Sequence, residues 1–182
     1  APEQALKLKR QDEWGIYLEF LKVMFNLTDR LTALHIPIKD QLEFMNGLED
    51  AVTTQLKTVL EPAFGNNADQ MEIVLTVGNA VAESRDLYEK YKFLITEDSK
   101  PKNELFQAFA ERVAQTLGAP QNGQVIAAAT LCASAIIPAV SAVLQGQAPP
   151  TAAPSTPTQQ PAKATGNGEP AKKGPTGQDI KL

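Results

Sequence analysis

One cysteine, one histidine and one tryptophan are all that the 182 residues hold of each. With Cys132 alone, the chain closes no internal disulfide and builds no multi-cysteine metal site. With His35 alone, there is no His-x-x-x-His or Glu-x-x-His pair, so the usual zinc and di-iron ligand sets are missing. A nucleophile–histidine–acid arrangement would have to use His35, with Ser84, Ser99, Ser134 or Ser141, and none of these serines has a supporting context. Neither G-x-x-x-x-G-K nor G-x-G-x-x-G occurs, which removes the glycine-rich phosphate cradles. The sequence therefore predicts a protein that is not an enzyme and has no cofactor, no resident metal and no small-molecule substrate.

Positive charge is also scarce in the body of the chain. Residues 1–144 carry 13 basic against 19 acidic side chains, while the remainder carries Lys163, Lys172, Lys173 and Lys181 against Glu169 and Asp179. An acidic body argues against nucleic acid as a partner. Lys90, Lys92, Lys100 and Lys102 lie near Tyr88, Tyr91 and Phe93, a faint echo of a base-stacking surface. Glu89, Glu97 and Asp98 interleave with them, and a solvated helix end explains the run better. The carboxylates Asp12, Glu13, Glu19, Asp40, Glu43, Glu49, Asp50, Glu83, Asp86 and Glu89 fall between apolar positions, as on solvated helix faces. Glu83 with Asp86, and Asp40 with Glu43, share a face at i,i+3 but imply no third ligand for a cation.

What is present is helical periodicity. Ile16, Phe20, Val23, Leu27, Leu31 and Leu34 recur at steps of three and four, and Trp14, Tyr17, Leu21 and Met24 widen the stripe. This first helix starts anywhere from Pro2, ends near His35 before Pro37, and is expected to be buried on more than one side. A second, opened by Pro37, carries Ile38, Leu42, Met45, Leu48, Val52, Leu56 and Val59, turns Glu49 and Asp50 to water, and closes at Glu61-Pro62 and Gly65. A third follows Asn66-Asn67 with Met71, Val74, Leu75, Val77, Val81, Leu87, Tyr91 and Leu94, and stops at Asp98-Ser99. Within it Gly78 and Ala82 form a small-residue notch for a neighbouring helix. A fourth follows Pro101, with Leu105, Phe106, Phe109, Val113 and Leu117 on one face and Gly118 at its end. A fifth spans residues 121–145, with a kink or break expected at Pro138.

No period-2 run or hairpin turn appears, so the fold class is all-α. We expect a bundle of about five helices over residues 1–146. A flexible Pro/Thr/Ala/Gly-rich tail over 147–182 has too few large apolar residues to offset the entropy of ordering it. Asp179-Ile180-Lys181-Leu182 restores two apolar groups at the end, a pattern that a short docking motif and a random chain end share.

From Val125 to Leu144 no residue is charged, and seven are alanine. The length suits a membrane span, but no aromatic belt or Lys/Arg cluster flanks it. As a soluble helix, its small residues let neighbours approach closely, so Ala129, Ala133, Ala135 and Ala139 join Gly78 and Ala82 as candidate helix-packing or oligomer-interface positions. Cys132 here reads as a small buried hydrophobe, in keeping with a reducing compartment or an assembled particle. The chain opens Ala-Pro-Glu-Gln, with no secretory signal visible. Together these features predict a non-enzymatic assembly protein, a helical subunit of a homo-oligomer or larger particle such as a virion. The alternative is a membrane-inserting or conduit-forming protein that uses the helix at 125–144.

Overall fold

In the computed structural model, residues 2–64 and 70–146 are described, with side chains for 11–60 and 71–146. They form five helices: α1 (Pro2–His35), α2 (Ile38–Phe64), α3 (Gln70–Tyr88), α4 (Lys100–Thr116) and α5 (Gly123–Leu144). No strand occurs among the described residues, and the architecture is an all-α helical bundle. All of it lies within one compact unit, residues 1–150. The tail at 147–182, like the Asn66-Asn67 start of the third helix and Gly65, lies outside the described residues.

α1 organises the bundle, because it packs against each of the other four helices. One side of it, through Ile16, Phe20, Val23, Leu27 and Leu31, meets α4 and α5 and the segment after α3. There it joins Leu105, Phe106, Phe109, Ala110, Val113, Ala129 and Ala133, and Phe20 meets Phe109 edge-to-face at 4.9 Å. The other side, through Trp14, Leu18, Leu21 and Phe25, meets Leu56 of α2 and Ile73, Val77 and Ala80 of α3. The two-sided burial expected of this helix is thus observed. Tyr17 stays largely outside, stacked on Trp14 at 5.6 Å.

The helix ends follow local chemistry. Ser99 caps α4 by accepting from the Lys102 N–H, and Pro101 occupies the first turn, where no N–H is needed. At the other end Gly118 adopts φ 65°, with its N–H on the Gln115 carbonyl and the Ala119 N–H on the Ala114 carbonyl. That pair of bonds is the Schellman arrangement, which a Cβ at Gly118 would strain. Asn122 caps α5 through the Gln124 and Val125 N–H groups.

Two expectations, both about the third helix, need correction. The third helix ends at Tyr88, ten residues early, so Tyr91 and Leu94 stand in a turn segment. Arg30 donates to the Tyr88 carbonyl at 3.0 Å and closes the helix there. The core side of α3 is Ile73, Val77, Ala80, Ser84 and Tyr88, whereas Met71, Val74 and Leu75 point outward. In α2 the helix continues past Pro62 and ends at Phe64, directly before Gly65, and Pro138 lies inside α5, which runs on to Leu144.

Candidate interaction surface

α5 has two faces that differ in contact and hardly at all in polarity. Its inner face, Ile126, Ala129, Ala133, Ile136, Ile137 and Val140, packs on α1 and α4. Only Ala129 and Ala133 are buried, because a methyl side chain lets the neighbouring backbones close over it. On the outer face stand Ala127, Ala128, Leu131, Ala135 and Pro138, all exposed, with Cys132 at its edge and no charge anywhere along the helix. Leu131 is 69% exposed. An ordinary surface helix carries charged residues on its outer side, and a helix apolar all round is one that is covered all round. Cys132, expected inside, is therefore exposed because it belongs to this uncovered side.

The same end of the bundle offers further apolar side chains. His35 Nε2 lies 3.4 Å from Ser141 Oγ, joining the last turn of α1 to the last turns of α5. Leu34 and Ile38 flank His35, and Val143 follows Ser141, all three exposed. Leu42 stands exposed one turn beyond Ile38, so the first two residues of the stripe expected on α2 have no cover. At the opposite end of α2 and α3, Val59, Met71, Val74 and Leu75 also face outward. Exposed apolar residues scattered singly are ordinary, but contiguous ones mark interaction sites.

The remaining sequence-derived positions separate clearly. Gly78 is half-buried, and a Cβ there would meet Glu49 Oε1 of α2 at 3.6 Å, so α2 passes close to it. Glu49 is thus turned toward α3 rather than fully to water. Ala82 is exposed, Ala135 is exposed and Ala139 is half-buried. The structure brings Ala129 and Ala133 together in one core and leaves Ala82 and Ala135 outside it.

The serines and histidine do not assemble a hydrolytic site. Ser84 is buried and donates to the Val81 carbonyl, Ser99 caps α4, and Ser134 donates to the Leu131 carbonyl. Ser141 alone reaches His35, and among the described residues no carboxylate bonds the other ring nitrogen. No group of three His, Cys, Asp or Glu side chains among the described residues is arranged to hold a metal ion. The aromatic–lysine run offers no free stacking surface either. Tyr88 is buried, Lys90 lies over Tyr91 at 5.1 Å, and the Arg30 guanidinium covers Phe93 at 4.2 Å.

One group was misplaced by the sequence pattern. Glu19, expected on a solvated face, is 7% exposed at the junction of α1, α3 and α4. Arg112 of α4 binds it through Nε and Nη2, Lys22 lies at 3.1 Å, and Lys22 in turn reaches Glu83 of α3 at 2.6 Å. Burial by itself raises the Glu19 pKa, but the hydrogen bonds and charges of Arg112 and Lys22 outweigh it and hold the carboxyl below its ordinary range. The buried Tyr88 hydroxyl has no hydrogen-bond partner. Burial first, and the Glu19 charge second, drive its pKa well above the usual phenol value. This cluster joins α1, α3 and α4.

Compared with known protein families, with curated proteins and with solved structures, the chain matches none.

Proposed function

We propose that this chain is a non-enzymatic assembly subunit that buries the outer face of α5 against copies of itself or other proteins of a larger particle, such as a virion. The observation that carries the reading is a charge-free helix of 22 residues with only Ala129 and Ala133 buried. Apolar surface left in water costs about 25 cal/mol per Å², so a face of this kind gains from any complementary cover. Ala127, Ala128 and Ala135 would let a partner helix approach closely, while Leu131 supplies a projecting knob. The exposed Leu34, Ile38 and Val143 would extend that contact past the end of the helix.

The test is mass in solution by size-exclusion chromatography with light scattering, with and without mild detergent, on the full chain and on Leu131→Glu. The assembly reading expects a discrete oligomer that detergent leaves intact and that Leu131→Glu returns to monomer. A monomer under every condition would sink self-assembly and leave only other proteins of the particle as the cover for α5.

A second reading rests on length. Among the described residues one helix, α5, is long and apolar enough to cross a membrane. At about 1.5 Å per residue it spans roughly 33 Å, close to the ~30 Å hydrocarbon core. Under this reading α5 leaves the bundle and inserts. Aggregates that detergent resolves into a defined species, together with flotation on phospholipid vesicles, would move it ahead of the first.

A further inference from the structure

A cavity of about 210 Å³ is lined by Asn26, Asp29, Arg30, Arg85, Glu89 and Lys92, none of them from α5. Among these residues Arg30 is held by three contacts. Its Nε donates to Asn26 Oδ1 at 2.9 Å, its Nη2 to the Tyr88 carbonyl at 3.0 Å, and its plane lies over the Phe93 ring at 4.2 Å. Those contacts use only part of the guanidinium's N–H set. The rest makes no hydrogen bond among the described residues, although the group is half-buried.

Charge balance around it is incomplete. Burial pulls the Arg30 pKa down from the usual guanidinium value, and the charges of Asp29 and Glu89 push it back without closing an ion pair. Arg85 closes none among the described residues either, and Lys92 meets Glu89 only at 3.9 Å, with both side chains mostly in water. Three cations and two carboxylates line the cavity, which leaves one positive charge unmatched. A fixed, part-desolvated guanidinium with spare donors is the arrangement that recognises oxygen anions in a defined geometry.

We propose that this cavity binds a single monoanionic oxygen group, a carboxylate or a phosphodiester, on Arg30, with Arg85 and Lys92 closing over it. A monoanion matches the one uncompensated charge, whereas a dianion meets the repulsion of Asp29 and Glu89. Arg30 orients the ligand, and the two exposed cations add attraction that salt screens.

The experiment uses the ¹⁵N-labelled full chain and follows the Arg30 side-chain Nε–H resonance during titration with acetate, dimethyl phosphate or sodium chloride at matched ionic strength. The proposal expects a saturable shift with acetate or dimethyl phosphate that chloride does not reproduce, and the better ligand identifies the group. The double variant Arg85→Gln/Lys92→Gln should weaken that binding at least threefold, and Glu89→Gln should tighten it. All three positions are exposed, so circular dichroism should read an unchanged fold. A linear, chloride-like response, or affinity indifferent to these substitutions, overturns the proposal.

Discussion

Arg112 grips Glu19 through two parallel hydrogen bonds, Nε to Oε2 at 2.6 Å and Nη2 to Oε1 at 2.9 Å, across 93 residues of sequence. The carboxylate is buried, and the arginine is 35% exposed at its side chain. Removing the guanidinium leaves a buried charge with Lys22 as its remaining hydrogen-bond partner. Arg112→Met is expected to lower the unfolding free energy by roughly 2–3 kcal/mol, below the full cost of orphaning a buried charge because water reaches this arginine. Urea denaturation of the full chain reads the change, and a loss under about 0.5 kcal/mol would show the pair to be idle.

The same carboxylate sets an acid limit on stability. Its folded pKa lies below the ordinary 4.5, so its contribution is complete above 4.5 and is lost as pH falls through the lower folded value. Denaturant midpoints should decline as pH falls below about 4.5, and Glu19→Gln should flatten that part of the profile while lowering stability at neutral pH. A profile of unchanged slope would assign the acid sensitivity to other groups.

Two glycines in helix interiors should respond to alanine with opposite signs. A Cβ at Gly15 would stand 2.7 Å from Thr116 Cγ2, and Thr116 is held by its own hydroxyl on the Arg112 carbonyl. At Gly47 a Cβ meets nothing within 4 Å. Gly47→Ala should therefore stabilise by up to about 1 kcal/mol, the ordinary helix-propensity gain. Gly15→Ala should destabilise by about 1 kcal/mol or more, because α1 and α4 must part to admit the methyl. Thermal unfolding of the two variants side by side makes the comparison.

Along α5, position decides what added bulk does. Ala133 is fully buried, so Ala133→Leu should cost about 1–3 kcal/mol of fold stability. Ala135 faces outward, and Ala135→Leu should leave unfolding within about 0.5 kcal/mol while altering self-association by light scattering. If both variants behaved alike, the inner and outer assignments of this helix would be wrong.

Cys132 offers a direct reporter of cover over α5. Its thiol is exposed in the single chain, so a maleimide should label it within minutes in dilute native protein. Under the assembly reading, labelling should slow markedly at concentrations where the oligomer forms. Equal rates across that range would exclude burial of this face.

Much of the helical framework is legible from spacing, because Phe20, Val23, Leu27 and Leu31 repeat strongly enough to fix both helix and face. The reading failed on α3 for two physical reasons. Ala80 and Ser84 are core positions whose small side chains give no hydropathy signal, so the outward Met71, Val74 and Leu75 set the apparent face. The end of α3 depends on Arg30, 58 residues upstream, which local periodicity cannot contain. Glu19 was misassigned for the same cause, since its partner Arg112 lies on another helix. The candidate surface on α5 was visible as a charge-free run. Which of its residues face outward is fixed only by where α1 and α4 pack.

The place of α1 between two apolar clusters has a consequence for synthesis. Of the five helices it emerges first from the ribosome, yet Leu21 and Phe25 wait for α2 and α3, and Val23, Leu27 and Phe20 wait for α4 and α5. Until α5 has emerged, α1 carries at least one uncovered greasy side, and the contacts that finish the fold close its longest loops last. Nascent chains stalled before α5 should be the form most dependent on chaperones.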